Sequence, residues 1–162
     1  MNDLDGVQQA YLDLCNTQLS AQIATLGDEH TPESSYAPFV WFDGDPYLFL
    51  SELARHTRNL RREPAIGLML IEDEAQARNP FSQQRICLQG TAQPLVREHE
   101  SFVPVLAEFR RRFGAVMDVI EPLPDFHLFR VSIYQGKFIL GFGQAYCLAG
   151  EDLDQLEHID PR

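Results

Sequence analysis

The sequence predicts an α+β protein built on a six-stranded antiparallel β-barrel with short flanking helices. Three observations carry that prediction. After a helical N-terminus, the apolar positions fall into short runs of strand length. Turn-forming Asp, Gly and Pro residues separate those runs. Only two internal segments return to helical spacing, too few to alternate with every strand as a parallel sheet requires. A small antiparallel sheet of this kind removes its edges by closing on itself.

The elements follow in order. Residues 4–17 place Val7, Tyr11, Leu12, Leu14 and Cys15 close to helical spacing and read as an N-terminal helix. Residues 20–26 are a strand ended by Gly27 and an acidic loop. Residues 35–42 are an aromatic strand whose Tyr36, Phe39 and Trp41 call for cover, and Asp43-Gly44-Asp45-Pro46 turns it into residues 47–51. Residues 52–62 predict a helix with Ser51 as N-cap and Leu53, His56 and Leu60 on one face, stopped by Pro64. Residues 65–71 form a buried strand, and residues 84–96 a long strand bent near Gly90. A second internal helix at 101–113 carries Phe102, Leu106, Phe109 and Phe113 as its stripe, tolerates Pro104 in its first turn and stops at Gly114. Residues 126–134, a Gln135-Gly136 turn and residues 137–142 predict a final hairpin. The organisation is therefore one domain over residues 1–150, followed by an acidic tail, 151–162, that reads as helical.

The 162 residues are 44% hydrophobic and 23% charged, an ordinary globular balance, with a net charge of −11. That charge opposes non-specific contact with a nucleic-acid backbone or an anionic membrane. No apolar run reaches the length of a membrane span, and the N-terminus has no basic-then-apolar leader. Three scattered cysteines make neither a disulfide framework nor a zinc site, so a cytoplasmic protein with reduced thiols is expected. GxGxxG, Walker A, HExxH, CxxC and GxSxG motifs are absent.

The strongest chemical feature runs from Ser51 to Arg62. On a helix Arg55, Arg58 and Arg62 share one side with Arg61 beside them, and hydroxyls stand at Ser51 and Thr57. Such a stripe can clamp phosphate or carboxylate, or it can be a solvated face paired with Glu52 and Glu63. His56 is either a hydrogen-bonded core residue or a ligand. Arg85 opens an otherwise apolar strand and suits either a planar acceptor or an inter-strand ion pair. Arg110, Arg111 and Arg112 sit where the helix dipole favours cations. Lys137 is the sole lysine. His158 lies in the acidic tail, as a solvated residue or a ligand for a metal or haem iron.

The segments Ser35-Tyr36-Ala37-Pro38-Phe39, Phe49 through Leu60 (FLSELARHTRNL), Ile71-Glu72-Asp73-Glu74-Ala75, Arg85 through Gly90 (RICLQG) and Gly141-Phe142-Gly143-Gln144-Ala145 follow in order. Together they resemble the haem-utilisation proteins of the HugZ/HutZ type, within the pyridoxamine 5′-phosphate oxidase-like, FMN-binding split-barrel superfamily. The resemblance covers about residues 15–148. It implies a split β-barrel, a homodimer and a cleft between subunits that takes haem or FMN. It also implies that Ser51, His56, Thr57 and Arg58 contribute to a flavin-phosphate site, that Arg85 faces the same cleft, and that the backbone from Tyr36 to Pro38 runs beside the ring system. In the haem-using branch a C-terminal histidine ligates iron, and His158 is the residue in that position. The arginine- and histidine-rich C-terminal substrate motif of true pyridoxamine phosphate oxidases is missing, so production of pyridoxal phosphate is not expected. Oxidative haem breakdown or transfer is the leading expectation. The alternatives are an FMN-dependent oxidoreductase of a small molecule and a non-catalytic haem carrier.

Overall fold

The computed structural model describes residues 3–150 and 153–159. Eight strands and four helices occur among them. The N-terminal helix α1 (Asp3–Thr17) is followed by β1 (Ser20–Leu26), β2 (Pro32–Phe42) and β3 (Asp45–Ser51). Helix α2 (Arg55–Arg62) leads into β4 (Ala65–Ile71) and β5 (Arg85–Pro94). Helices α3 (Phe102–Phe113) and α4 (Val116–Ile120) precede β6 (Phe126–Gly141), β7 (Gln144–Ala149) and β8 (Gln155–His158). The sheet order is β3-β2-β1-β4-β5-β6-β7-β8, and an additional β3–β6 pairing closes the first six into an antiparallel barrel. The α+β six-stranded barrel is thus observed, extended by β7 and β8.

The barrel interior is filled by side chains on alternate positions, among them Ile23, Phe39, Leu48, Leu68, Ile86, Phe129 and Phe138. Tyr11 of α1 meets Phe138 edge-on at 5.7 Å, and Val7, Leu14 and Cys15 join the same core. A second core lies outside the barrel wall. There Phe102, Val105, Leu106 and Phe109 of α3 cover Val40, Tyr47 and Phe49. Strand β3 is consequently buried on both faces, which explains the unbroken apolar run Tyr47-Leu48-Phe49-Leu50 where a half-exposed strand would alternate. The α3 stripe and the Gly114 stop (φ 67°) fall where the sequence places them.

Four expectations need correction. First, Gln135-Gly136 is no turn: β6 runs through it as one strand paired with β5. A Cβ on Gly136 would stand 2.0 Å from Leu148 Cδ1 and 2.9 Å from Leu88 Cδ2, so glycine is there for close packing. The hairpin falls later, at Phe142-Gly143, where Gly143 takes φ 66°. Second, Ser51 does not cap α2. Its Oγ accepts from Leu53 N–H at 3.1 Å, residues 52–54 form a turn, and the helix starts at Arg55 with no side-chain cap. Leu53 is 87% exposed and leaves the apolar face that Leu60 keeps. Third, Phe39 is core and Trp41 packs edge-on against it at 5.9 Å, so only Tyr36 of the three aromatics stands out. Fourth, residues 155–158 form a strand on β7 where the tail reads as helical. The bend at Gly90 is present as a register shift between Gln89 and Gly90, and a Cβ at Gly90 would meet Ser132 O at 2.6 Å.

Candidate functional site

Because the barrel interior is packed, sites are left to its wall. Outward positions of β2, β1, β4 and β5 pair across the sheet as Tyr36, Gln22, Met69 and Cys87. They floor a shallow groove of about 550 Å³ that also touches Ser34, Ser35 and Gln89. Small residues keep it open: Ala24 and Gly67 face one another in the neighbouring row. Tyr36 is 68% exposed at one side of the groove. A smaller notch of about 290 Å³ shares Ser34 and Ser35 with the groove and reaches Thr25, Glu33, Arg55 and His56.

Helix α2 stands at that notch, pinned from below. Asn59 Nδ2 donates to Thr25 Oγ1 at 3.0 Å and to Glu33 Oε2 at 2.6 Å. His56 Nδ1 lies 3.0 Å from Ser35 Oγ. Burial holds the His56 imidazole below its ordinary pKa, because desolvation penalises the imidazolium. The neutral ring is therefore favoured, and its tautomer sets whether it donates to or accepts from Ser35.

The arginine stripe resolves into two kinds of residue. Arg55 pairs with Glu33, Arg62 with Asp28, and Arg61 with Glu52 at 2.7 Å. Arg58 is exposed and has no ion-pair or hydrogen-bond partner among the described residues. Three of the arginines are thus ion-paired, but only Arg61 with an acid expected from sequence, Glu52; Glu63 takes no such pair among the described residues, and of the four arginines Arg58 alone is free to meet an external anion. The hydroxyls are spoken for. Ser51 Oγ donates to Asp125 Oδ2 at 2.7 Å, and the buried Thr57 donates to Ser51 O at 2.6 Å. Both hold the β3–α2 connection in shape. Glu52, the neighbouring anchor, accepts from His127 Nε2 at 2.7 Å as well as from Arg61. Asp125 and His127 follow α4 without a recognisable motif, and sequence reading passes over both.

Arg85 begins β5 on the outer face, two residues from Cys87, with its guanidinium donating to Gln83 O at 2.9 Å. Pro38 is exposed two residues beyond Tyr36 on β2. The structure thus brings Tyr36, His56 and the groove together and sets Arg85 beside them. His158 stays apart. It lies on β8, three strands beyond β5, with its ring edge-on to Tyr146 at 5.3 Å and Nε2 3.3 Å from Gly143 O. At roughly 4.8 Å per strand, that is about 14 Å of sheet. Among the described residues no cluster of three His, Cys, Asp or Glu side chains forms a metal site, and no helix is long and apolar enough to cross a membrane.

A closed six-stranded antiparallel barrel with a groove on its outer wall and a cationic helix at one end defines the class. Residues 7–140 match the family described as pyridoxamine 5′-phosphate oxidase, and the chain belongs to that family. It is 39% identical over 139 residues to the heme oxygenase HutZ of Vibrio cholerae, covering 86% of this chain and 79% of the relative. A crystal structure of Vibrio cholerae HutZ, described there as a heme storage protein, is similar with TM-score 0.77 and 32% identity, over 82% of this chain and 93% of the other. Campylobacter jejuni ChuZ is similar with TM-score 0.87 and 29% identity, over 99% of this chain and 65% of that one.

Proposed function

We propose that this protein handles haem, holding it at the outer-wall groove between two copies of the chain and assisting its oxidative breakdown or transfer. The observation that carries this reading is the 39% identity to HutZ over 86% of the chain. The groove fits a flat macrocycle in kind. Its floor is sheet surface with Met69 and Cys87 on it, small residues keep it shallow, and an exposed tyrosine borders it. Arg58 and Arg85 supply cations suited to propionates or to a flavin phosphate. Bound haem would supply the redox and oxygen chemistry, while the chain's residues provide binding, orientation and exclusion of water.

The placement of His158 favours a homodimer. Within one protomer it stands about three strand spacings from the groove, so it serves as an iron ligand only at a site to which a second copy contributes. Its exposure on β8 leaves the ring accessible for that role. Free thiols at all three cysteines suit a reducing compartment such as the cytoplasm. FMN is the second ligand to test, because the chain belongs to the pyridoxamine 5′-phosphate oxidase family and resembles its FMN-binding split barrels, and because Arg58 is unpaired among the described residues. An FMN-bound form would make the protein a flavin-dependent oxidoreductase.

The test is an absorption titration with haemin, starting from the protein as isolated. A saturable Soret band, weakened by Arg58→Ala or Arg85→Ala and shifted by His158→Ala, is expected. Flavin bands in the isolated protein with no saturable Soret response would replace haem by FMN. Adding reductant under oxygen then separates a catalyst, whose Soret band decays to a tetrapyrrole product, from a carrier, whose band persists.

A further inference from the structure

A second cavity, which shares Leu88 with the outer-wall groove, has no part in the reading above. Its volume is about 590 Å³, and it is bounded by α1, the end of β2 and the β2–β3 turn, Leu88 of β5, Arg130 and Ile133 of β6, and Leu148 of β7. That volume suits a small organic ligand. Its walls include Tyr11, Trp41 and Leu148, and its rim carries Asp43, Asp45 and Arg130. We propose that this cavity binds a small organic monocation with an apolar or aromatic body, of the arylalkylammonium class, its ammonium at the Asp43 rim and its body against Trp41 and Tyr11.

The charge count selects a cation. Asp45 Oδ2 takes the Arg130 Nε hydrogen bond at 2.6 Å and pairs with the same guanidinium through Nη2 at 2.5 Å. Asp43 adds a second carboxylate near that one arginine, and it has no hydrogen-bond or ion-pair partner of its own among the described residues. Two carboxylates against one guanidinium leave the rim a net single negative charge. Among the described residues no other charged side chain lines the cavity. An anion would meet Asp43 uncompensated, and a neutral molecule would leave it unused. The aromatic faces of Trp41 and Tyr11 add attraction for a cation or for an aromatic body. The rim is also fixed in place: Asp43-Gly44 is a tight turn with φ 53° and 86°, set by β2–β3 pairing that runs up to Phe42 and Asp45.

Trp41 is the only tryptophan in the sequence, so emission under tryptophan-selective excitation reports on a residue of this cavity wall. The probe is 2-phenylethylammonium chloride, titrated at constant ionic strength beside neutral 2-phenylethanol and anionic phenylacetate. A saturable emission change is expected for the ammonium, at least about tenfold weaker for the alcohol and for phenylacetate. Asp43→Asn should weaken the ammonium about tenfold while leaving the melting temperature unchanged, since asparagine tolerates the same turn conformation. Isothermal calorimetry on the same samples gives a readout independent of fluorescence. Equal binding of all three probes, unchanged binding by Asp43→Asn, or no saturation up to about 10 mM would overturn the proposal.

Discussion

Removing the Asn59 side-chain amide should loosen α2 from the barrel. The buried Asn59 Nδ2 donates to Thr25 Oγ1 at 3.0 Å and to Glu33 Oε2 at 2.6 Å, tying the helix to β1 and β2 directly under the notch that holds His56. A neutral hydrogen bond contributes about 1 kcal/mol net, and one to a carboxylate about 1.5–3 kcal/mol. Glu33 retains Arg55 and is partly exposed, so the charged bond belongs at the lower end of that range. Thr25 is buried and loses its partner outright. Asn59→Ala should therefore cost about 2.5 kcal/mol, which for a domain of this size lowers the melting temperature by about 5–10 °C. Urea denaturation with both tyrosine and tryptophan signals measures it. Asn59→Asp sets a second carboxylate against Glu33 and should be worse at neutral pH than in acid. A loss below about 0.5 kcal/mol for Asn59→Ala would refute the reasoning, because surface substitutions alone account for that much.

Three further outcomes are expected. Gly136→Ala should destabilise by about 2 kcal/mol through overpacking against Leu148 and Leu88, and the Gly136→Ala/Leu148→Ala pair should cost less than the sum of its parts in a denaturation cycle. His56 has its folded pKa lowered by burial, so the unfolded chain binds the extra proton between that lowered value and 6.5. Stability contributed by neutral His56 is then present above pH 6.5 and is lost as pH falls toward the folded pKa, and urea midpoints of His56→Gln should lack that slope. Burial pushes the Cys15 thiol up to about 11, so a thiol reagent at mildly alkaline pH should label it only after denaturation, with Cys87 and Cys147 reacting first.

The outer-wall location of the groove follows from a barrel whose centre is filled by its own side chains. Vibrio cholerae HutZ, with which this chain shares its fold, is described both as a haem oxygenase and as a haem storage protein. The protein's own residues add what those names leave open. One unpaired arginine on α2, and one histidine displaced from the groove within the protomer, are the two features that the haemin titration and its variants address directly.

The sequence by itself determined the local elements and the class. Alternation in residues 20–26, the Asp-Gly turn after Phe42, the α3 stripe and the stop at Gly114 are short-range patterns, and each appears where the spacing puts it. Tertiary structure decided whatever depends on what lies opposite. Gly136 reads as a turn from its neighbours, yet it is an extended residue whose missing side chain makes room for Leu148, twelve residues away. Ser51 reads as a helix cap, but Asp125 and the β3–β6 pairing keep it as the last residue of β3, and a turn over 52–54 delays the helix to Arg55. The four arginines of α2 are alike in sequence. Only the acids brought up by a 3₁₀ turn at Asp28–His30, by β2 and by the β3–α2 loop separate the paired Arg55, Arg61 and Arg62 from the free Arg58. Periodicity records which side of an element is apolar, whereas partners across the sheet are fixed only when the chain closes on itself.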